Sequence, residues 1–419
     1  MTNHKDPTMI FENALGEGQS NELILNPHYD TAKGYGPKQE AVLNDAAFDL
    51  AKRTISSWEG YAPTPLVSLP AMAEKAGVAE IQFKDEGGRF GLGSFKALGG
   101  AYAVLRLLAR EIAKAKNIPE PSAEDIVAGK YADIASQLTV CCATDGNHGR
   151  SVAWGAQRFG CRCVIFIHAT VSEGRKEAIE AYGAEVRRCA GNYDDSVREA
   201  QETATREGWF VVSDTSYPGY TEIPKDVMQG YELMAAEAAD TLGTPPTHIF
   251  IQTGVGGLAA AVAAQFARRY GPEAPRVILA DPDQSACWLE TIRESKPTAV
   301  EGDLDTLMAG LACGEVSLLA WDVLEPLTFA VMSVADPDAV AVMRALAKPE
   351  GGDPPVAAGE SAVAGLAAFL AAAENDEARA ALGIDANSRI LCFGTEGDTD
   401  AALFKTLVGR SAAEVRGAA

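Results

Sequence analysis

Long apolar runs, basic side chains, aromatic rings and metal-binding spacings are all scarce in this chain. No run of 18 apolar residues occurs, so no transmembrane helix is expected. Lys and Arg total 36 against 58 Asp and Glu, a formal net charge of −22. A chain this acidic is a poor match for a phosphate backbone or an anionic membrane, so neither nucleic acid nor membrane is an expected partner. The eight cysteines form no C-x-x-C pair, and the five histidines (His4, His28, His148, His168, His248) show no metal spacing. The opening segment MTNHKDPTMIFEN lacks the charged-then-apolar pattern of a secretory signal. The expectation is a soluble, cytoplasmic, metal-independent protein. The hydrophobic share of 47% is that of an ordinary globular chain, and 419 residues suggest two domains or one large α/β unit with an insertion.

Residues 1–60 read as an irregular, polar lead-in. From about residue 80 short apolar runs alternate with helical stretches. The runs are 138–143, 163–167, 209–212, 248–252, 276–280 and 389–393. Helical periodicity covers 97–114, 172–182, 194–206, 225–239 and 256–269. Strands alternating with helices of this length imply βαβ units and a mostly parallel sheet, an α/β class. The division expected is a large domain from 1–98 plus 225–419, with a smaller α/β domain, 99–224, inserted. Ala371–Leu382 reads as a surface helix, and Glu350–Pro355 as a loop. Cys141, Cys142, Cys163 and Cys392 sit in apolar runs, as buried small hydrophobes do.

Three glycine-rich loops carry the chemistry. In the first, Phe90-Gly-Leu-Gly-Ser-Phe-Lys96 delivers a lysine to a helix start. The helix dipole and partial burial both disfavour an ammonium there, and a neutral amine is what attack on an aldehyde needs. A plain surface lysine is the alternative. In the second, Thr144-Asp-Gly-Asn-His148 joins an apolar run to a helix. Main-chain N–H groups at Thr144, Gly146 and His148 would suit a substrate carboxylate, with Asn147 as a further donor. Asp145 adds a carboxylate, or simply caps the helix. In the third, Gly254-Val255-Gly256-Gly257-Leu258 again runs from strand to helix and would cradle a phosphate. Alone it also fits a dinucleotide pattern, with Asp281 after the next strand.

A lysine, an anion nest and a phosphate nest, in this order, resemble the pyridoxal-phosphate enzymes of the tryptophan-synthase-β-like fold, fold type II. The resemblance spans roughly residues 60–400. It implies pyridoxal 5'-phosphate as cofactor, Lys96 as the Schiff-base lysine, Asn147 on the phenolic oxygen, and Gly254, Val255, Gly256, Gly257 and Leu258 on the phosphate. The fold type usually places Ser, Thr or Cys on the pyridine nitrogen. The matching position here is Gly394, and Thr395 or a water would substitute.

Dehydratases of this fold usually carry serine where this chain has Asp145. A carboxylate suits a substrate whose side chain is a cationic amine. A second acid, Asp214, lies in Val212-Ser-Asp-Thr-Ser-Tyr-Pro-Gly-Tyr220; a turn aspartate is its alternative reading. With Gly394-Thr-Glu-Gly-Asp-Thr-Asp400, these segments look like the diaminopropionate ammonia-lyases. That resemblance implies a homodimeric carbon–nitrogen lyase. It would eliminate ammonia from D- or L-2,3-diaminopropionate to give pyruvate and two ammonia, with Lys96, Asp145 and Asp214 catalytic. The competing reading is a serine, threonine or 3-hydroxyaspartate dehydratase on the same scaffold. Cys287 and Cys313 flank a stretch that would line the site, and they are candidates to pair. Glu360 either faces the cofactor or begins a helix.

Overall fold

In a computed structural model of the chain, residues 8–16, 19–30, 35–144, 146–191 and 193–417 are described. The chain divides into two compact units: unit 1 is 1–42, 63–88 and 234–419, and unit 2 is 43–62 and 89–233. These bounds differ from those expected, because 43–62, 89–98 and 225–233 lie with the smaller unit. The cause is packing. The helix Ala97–Lys116 lies against the helix Asn147–Phe159 and draws the preceding loop, with Lys96, into unit 2. The described strands are β1 (Thr8–Glu12), β2 (Ser20–Leu25), β3 (Leu66–Ser68), β4 (Glu80–Asp85), β5 (Thr139–Ala143), β6 (Arg162–Ile167), β7 (Glu185–Arg188), β8 (Phe210–Val211), β9 (His248–Gln252), β10 (Arg276–Pro282), β11 (Thr328–Val334) and β12 (Arg389–Gly394).

Unit 1 holds an eight-stranded sheet in the order β1-β2-β11-β10-β9-β12-β4-β3. The run β11 to β4 is parallel throughout, while β1, β2 and β3 join antiparallel. The central strands are apolar along their length, as strands covered on both faces must be; every residue of β9 is buried. The N-terminal segment is therefore not irregular: 8–12 and 20–25 form a hairpin on the sheet edge. Ala371–Leu382 is not one surface helix either. A helix Ala364–Ala373, apolar all round, packs under β9, and Asn375 caps a second helix, Asp376–Leu382. Glu360 begins a buried 3-10 turn.

Unit 2 holds a four-stranded parallel sheet in the order β7-β6-β5-β8. Its helices approach closely through glycine. A Cβ on Gly155 would lie 2.7 Å from Ala101 Cα, and one on Gly230 would strike the Leu98 carbonyl. Small residues at these crossings let the helix bearing Lys96 sit tightly between two neighbours. Among the described residues, no helix is long and apolar enough to cross a membrane.

Candidate active site

In unit 2, Lys96 stands at the start of the helix Ala97–Lys116, as expected, with helical φ −55° and ψ −27°. Its carbonyl accepts from the N–H groups of Gly99 and Gly100, so the backbone is fixed and only the side chain reaches out. Nζ lies 2.6 Å from Asp214 Oδ2 and 5.3 and 5.8 Å from the ring centroids of Phe95 and Tyr231. A carboxylate at this range, with two aromatic faces, stabilises an ammonium, against the neutral amine expected from the helix start alone. Burial by itself would raise the Asp214 carboxyl. The Lys96 ammonium, then His148, outweigh that and hold it well below the ordinary carboxylate range. Asp214 is thus no mere turn residue. It follows β8, which is only two residues long, and ends on the lysine.

The loop after β5 is arranged differently from the anion nest expected. Thr144 Oγ1 accepts from the N–H groups of Gly146 (3.0 Å) and Gly149 (3.1 Å). Thr144 therefore caps the helix Asn147–Phe159, and the Gly146 donor is spent on it. The His148 ring turns away from the loop: Nε2 is 2.8 Å from the Val212 carbonyl, and Nδ1 is 3.8 Å from Asp214 Oδ2. Asn147 opens the helix, and its Oδ1 accepts from Arg150 at 3.3 Å, which sets the orientation of the amide. Asp145 lies outside the described residues.

In unit 1, Thr253–Gly256 link β9 to the helix Gly257–Tyr270. The carbonyls of this loop are tied off. Gly254 O accepts from the Trp288 indole N–H at 3.0 Å, and Val255 O from Ser317 N–H at 2.9 Å. With its oxygens held back, the loop presents main-chain donors, chiefly the first-turn N–H groups of Gly257 and Leu258 that a helix cannot use itself. Gly256 has φ +97°, and a Cβ there would run into the Trp288 indole. Behind the loop, fully buried Asp281 accepts from the Thr253 hydroxyl and from Trp288 N (2.8 Å) and Leu289 N (3.0 Å). Burial pushes its carboxyl up to about 7, against these donors. Asp281 therefore braces this loop and the helix Cys287–Glu294, a role that no local motif discloses. Nor did any disclose those of Trp288 and Ser317, whose partners lie far off in sequence.

Gly394 ends β12, and a Cβ there would strike the Phe83 ring, which explains the glycine. Thr395 is next and buried. Its Oγ1 accepts from Gln252 Nε2 at 2.8 Å, so its own proton points elsewhere. Cys287 and Cys313 both lie beside Gly254 and are not joined as a disulfide. Cys141, Cys142, Cys163 and Cys392 are buried, as expected.

Unit 2 thus offers a lysine at a helix start, and unit 1 offers a loop of main-chain donors at a helix start and a buried hydroxyl. A family model described as "Pyridoxal-phosphate dependent enzyme" matches residues 58–393. The diaminopropionate ammonia-lyase of Escherichia coli (strain K12) is 37% identical over 382 residues, covering 90% of this chain and 94% of that protein. The chain belongs to the diaminopropionate ammonia-lyase family. Its fold is accordingly the expected fold type II, and its cofactor is pyridoxal phosphate. The crystal structure of the Escherichia coli ammonia-lyase in complex with an aminoacrylate-PLP azomethine reaction intermediate matches with a TM-score of 0.82 and 33% identity. It covers 96% of this chain and 98% of that one. A serine dehydratase-like protein of Mus musculus is 32% identical over only 123 residues, 29% of this chain. The competing dehydratase reading is thus the more distant one.

Proposed function

We propose that this ammonia-lyase converts 2,3-diaminopropionate to pyruvate and two ammonia by α,β-elimination. The observation that carries the reading is the Lys96–Asp214 contact of 2.6 Å, which sets a carboxylate beside the reactive amine. When bound, pyridoxal phosphate supplies an electron-withdrawing ring that takes up the charge left by the α-proton. Lys96 is the residue that would hold it, and the first-turn donors of the Gly254–Leu258 loop would hold its phosphate. Asn147 would donate to its phenolic oxygen, and the Thr395 hydroxyl would serve the ring nitrogen.

Each step is assigned to a side chain. Lys96 takes the α-proton on one face of the substrate, a service worth about 10²–10⁴-fold from a positioned base. Asp145 does so on the other face, which would give turnover of both D and L forms. Asp214, kept ionised, attracts the cationic β-amine and orients it for departure with the C–N bonding pair. The released 2-aminoacrylate then takes up water and yields pyruvate and the second ammonia. Thr144 and the main-chain donors of Asn147 and His148 are assigned to the substrate carboxylate. We also assign the enzyme to the cytoplasm as a homodimer, the commonest closed assembly.

The test is incubation of the purified holoenzyme with D- and L-2,3-diaminopropionate, following pyruvate and ammonia. Two ammonia per pyruvate is expected, with serine and threonine turned over far more slowly. Faster turnover of serine or threonine would overturn the reading. For the two bases, Asp145→Asn should lose one enantiomer selectively; equal loss of both would refute that assignment.

A further inference from the structure

His148 is buried, and its two ring nitrogens have different surroundings. Nε2 is 2.8 Å from the Val212 carbonyl, which can only accept, so Nε2 carries a proton in every charge state. Nδ1 is buried and has no hydrogen-bond partner, yet it lies 3.8 Å from Asp214 Oδ2. In the neutral ring, therefore, a bare lone pair faces a carboxylate oxygen, which is unfavourable. Protonation at Nδ1 turns that repulsion into attraction. Asp214 Oδ2 is the same oxygen that meets Lys96 Nζ at 2.6 Å, so one carboxylate oxygen lies between an amine and an imidazole. An unpaired nitrogen in so enclosed a place is costly to keep and calls for a reason.

Building on the elimination chemistry proposed above, we infer that His148 is a positioning residue that acts through Asp214, taking a proton at Nδ1 and so keeping the carboxylate charged and fixed beside Lys96. The proton goes to the ring nitrogen, and Asp214 retains its negative charge. When Lys96 gives up its own proton, the imidazolium still leaves one positive neighbour for the carboxylate. Asp214 then stays ionised while it receives a cationic β-amine. Among the described residues, the other titratable and charged groups around this cluster are Cys142 at the end of β5, Tyr220 in the loop after β8, Tyr231 on the helix Glu222–Thr241, and Arg150 on the helix of His148 itself. Burial pushes Cys142, Tyr220 and Tyr231 upward, so none of them competes for this proton near neutrality.

Two measurements test this. Isotope-edited NMR of histidine-labelled protein should show the neutral His148 ring protonated on Nε2, the signal being assigned by its loss in His148→Gln. A neutral ring whose single proton sits on Nδ1 overturns the inference, and this readout needs no activity. The second is a double-mutant cycle in the holoenzyme. His148→Gln keeps a donor for Val212 but carries no charge. It should lower kcat about tenfold with KM nearly unchanged, and move the acidic limb of the pH profile. In an Asp214→Asn background the same change should cost less than about twofold. Equal losses in both backgrounds would show a structural role and overturn the inference. If wild-type enzyme released no ammonia from diaminopropionate, the proposed reaction would fail, while the NMR result would still decide the ring's orientation.

Discussion

The turn after β5 and the turn after β9 both join a parallel strand to a helix through glycine, yet they divide their labour in opposite ways. In the first, a side chain caps the helix from within: Thr144 takes the N–H groups of Gly146 and Gly149. In the second, the bracing comes from behind. Trp288 and Ser317 tie off the carbonyls, Asp281 holds Thr253, and the main chain alone faces outward. On the reading proposed above, one turn serves side-chain chemistry and the other holds an anion. Mutations should therefore separate rate from affinity.

Lys96→Ala is the sharpest cut. It should lower kcat by about 10⁴-fold or more, because no other amine lies at the helix start. Pyridoxal phosphate should still bind non-covalently through the Gly254–Leu258 loop, as dialysis with absorbance detection would show. If the variant lost the cofactor altogether, the Gly254–Leu258 loop would not be enough to hold it.

Asp281 breaks the comparison from the other side, since here a titratable group underlies an uncharged loop. Its carboxyl is raised in the fold from the ordinary range to about 7. Between about pH 4 and 7 the unfolded chain is ionised at this position and the folded one is not. The folded state therefore holds the extra proton, and stability is lost as pH rises through that window. The loss should be on the order of 4 kcal/mol, levelling off above pH 7. Calorimetry across this range should show a falling Tm, with the fall reduced in Asp281→Asn.

Gly256→Ala should weaken the loop without touching Lys96. At φ +97° a side chain is strained, and its Cβ would press on Trp288. Cofactor affinity should drop about 100-fold, roughly 2–3 kcal/mol, while kcat at saturating cofactor stays near wild type. A fall in kcat with unchanged affinity would reverse the assignment of roles.

What could be read in the sequence follows how local each signal is. The parallel strands and the helices that start at Ala97, Asn147 and Gly257 announce themselves by period and by glycine. Lys96, Asn147 and the Gly254–Leu258 loop come with them, because each lies at or next to a helix start. The pairing of β1 with β2 does not announce itself. Its strands are short, and it is held by the distant contacts of Asn13 with Asp338 and of Asn21 with the Ser333 carbonyl. The direction of the His148 ring is equally non-local, since Val212 lies 64 residues on. The motif shows donors in order along the chain, not what already accepts from them, so the use of the Gly146 N–H by Thr144 could not be read from it.

Trp288→Phe should produce the smallest effect and bears most directly on how the loop is braced. Phenylalanine keeps an aromatic ring beside Gly256 but loses the N–H that reaches the Gly254 carbonyl at 3.0 Å. That carbonyl keeps only the weak Cys287 thiol contact at 3.6 Å. One neutral hydrogen bond is worth about 1 kcal/mol, so cofactor affinity should fall about fivefold, with kcat and the Lys96 chemistry unaffected. Serine in place of Cys287, a better donor at the same carbonyl, should restore part of that loss in the double variant. If Trp288→Phe left affinity unchanged, the tied-off carbonyl would be incidental. The glycine at 256 would then be the main feature that shapes this turn.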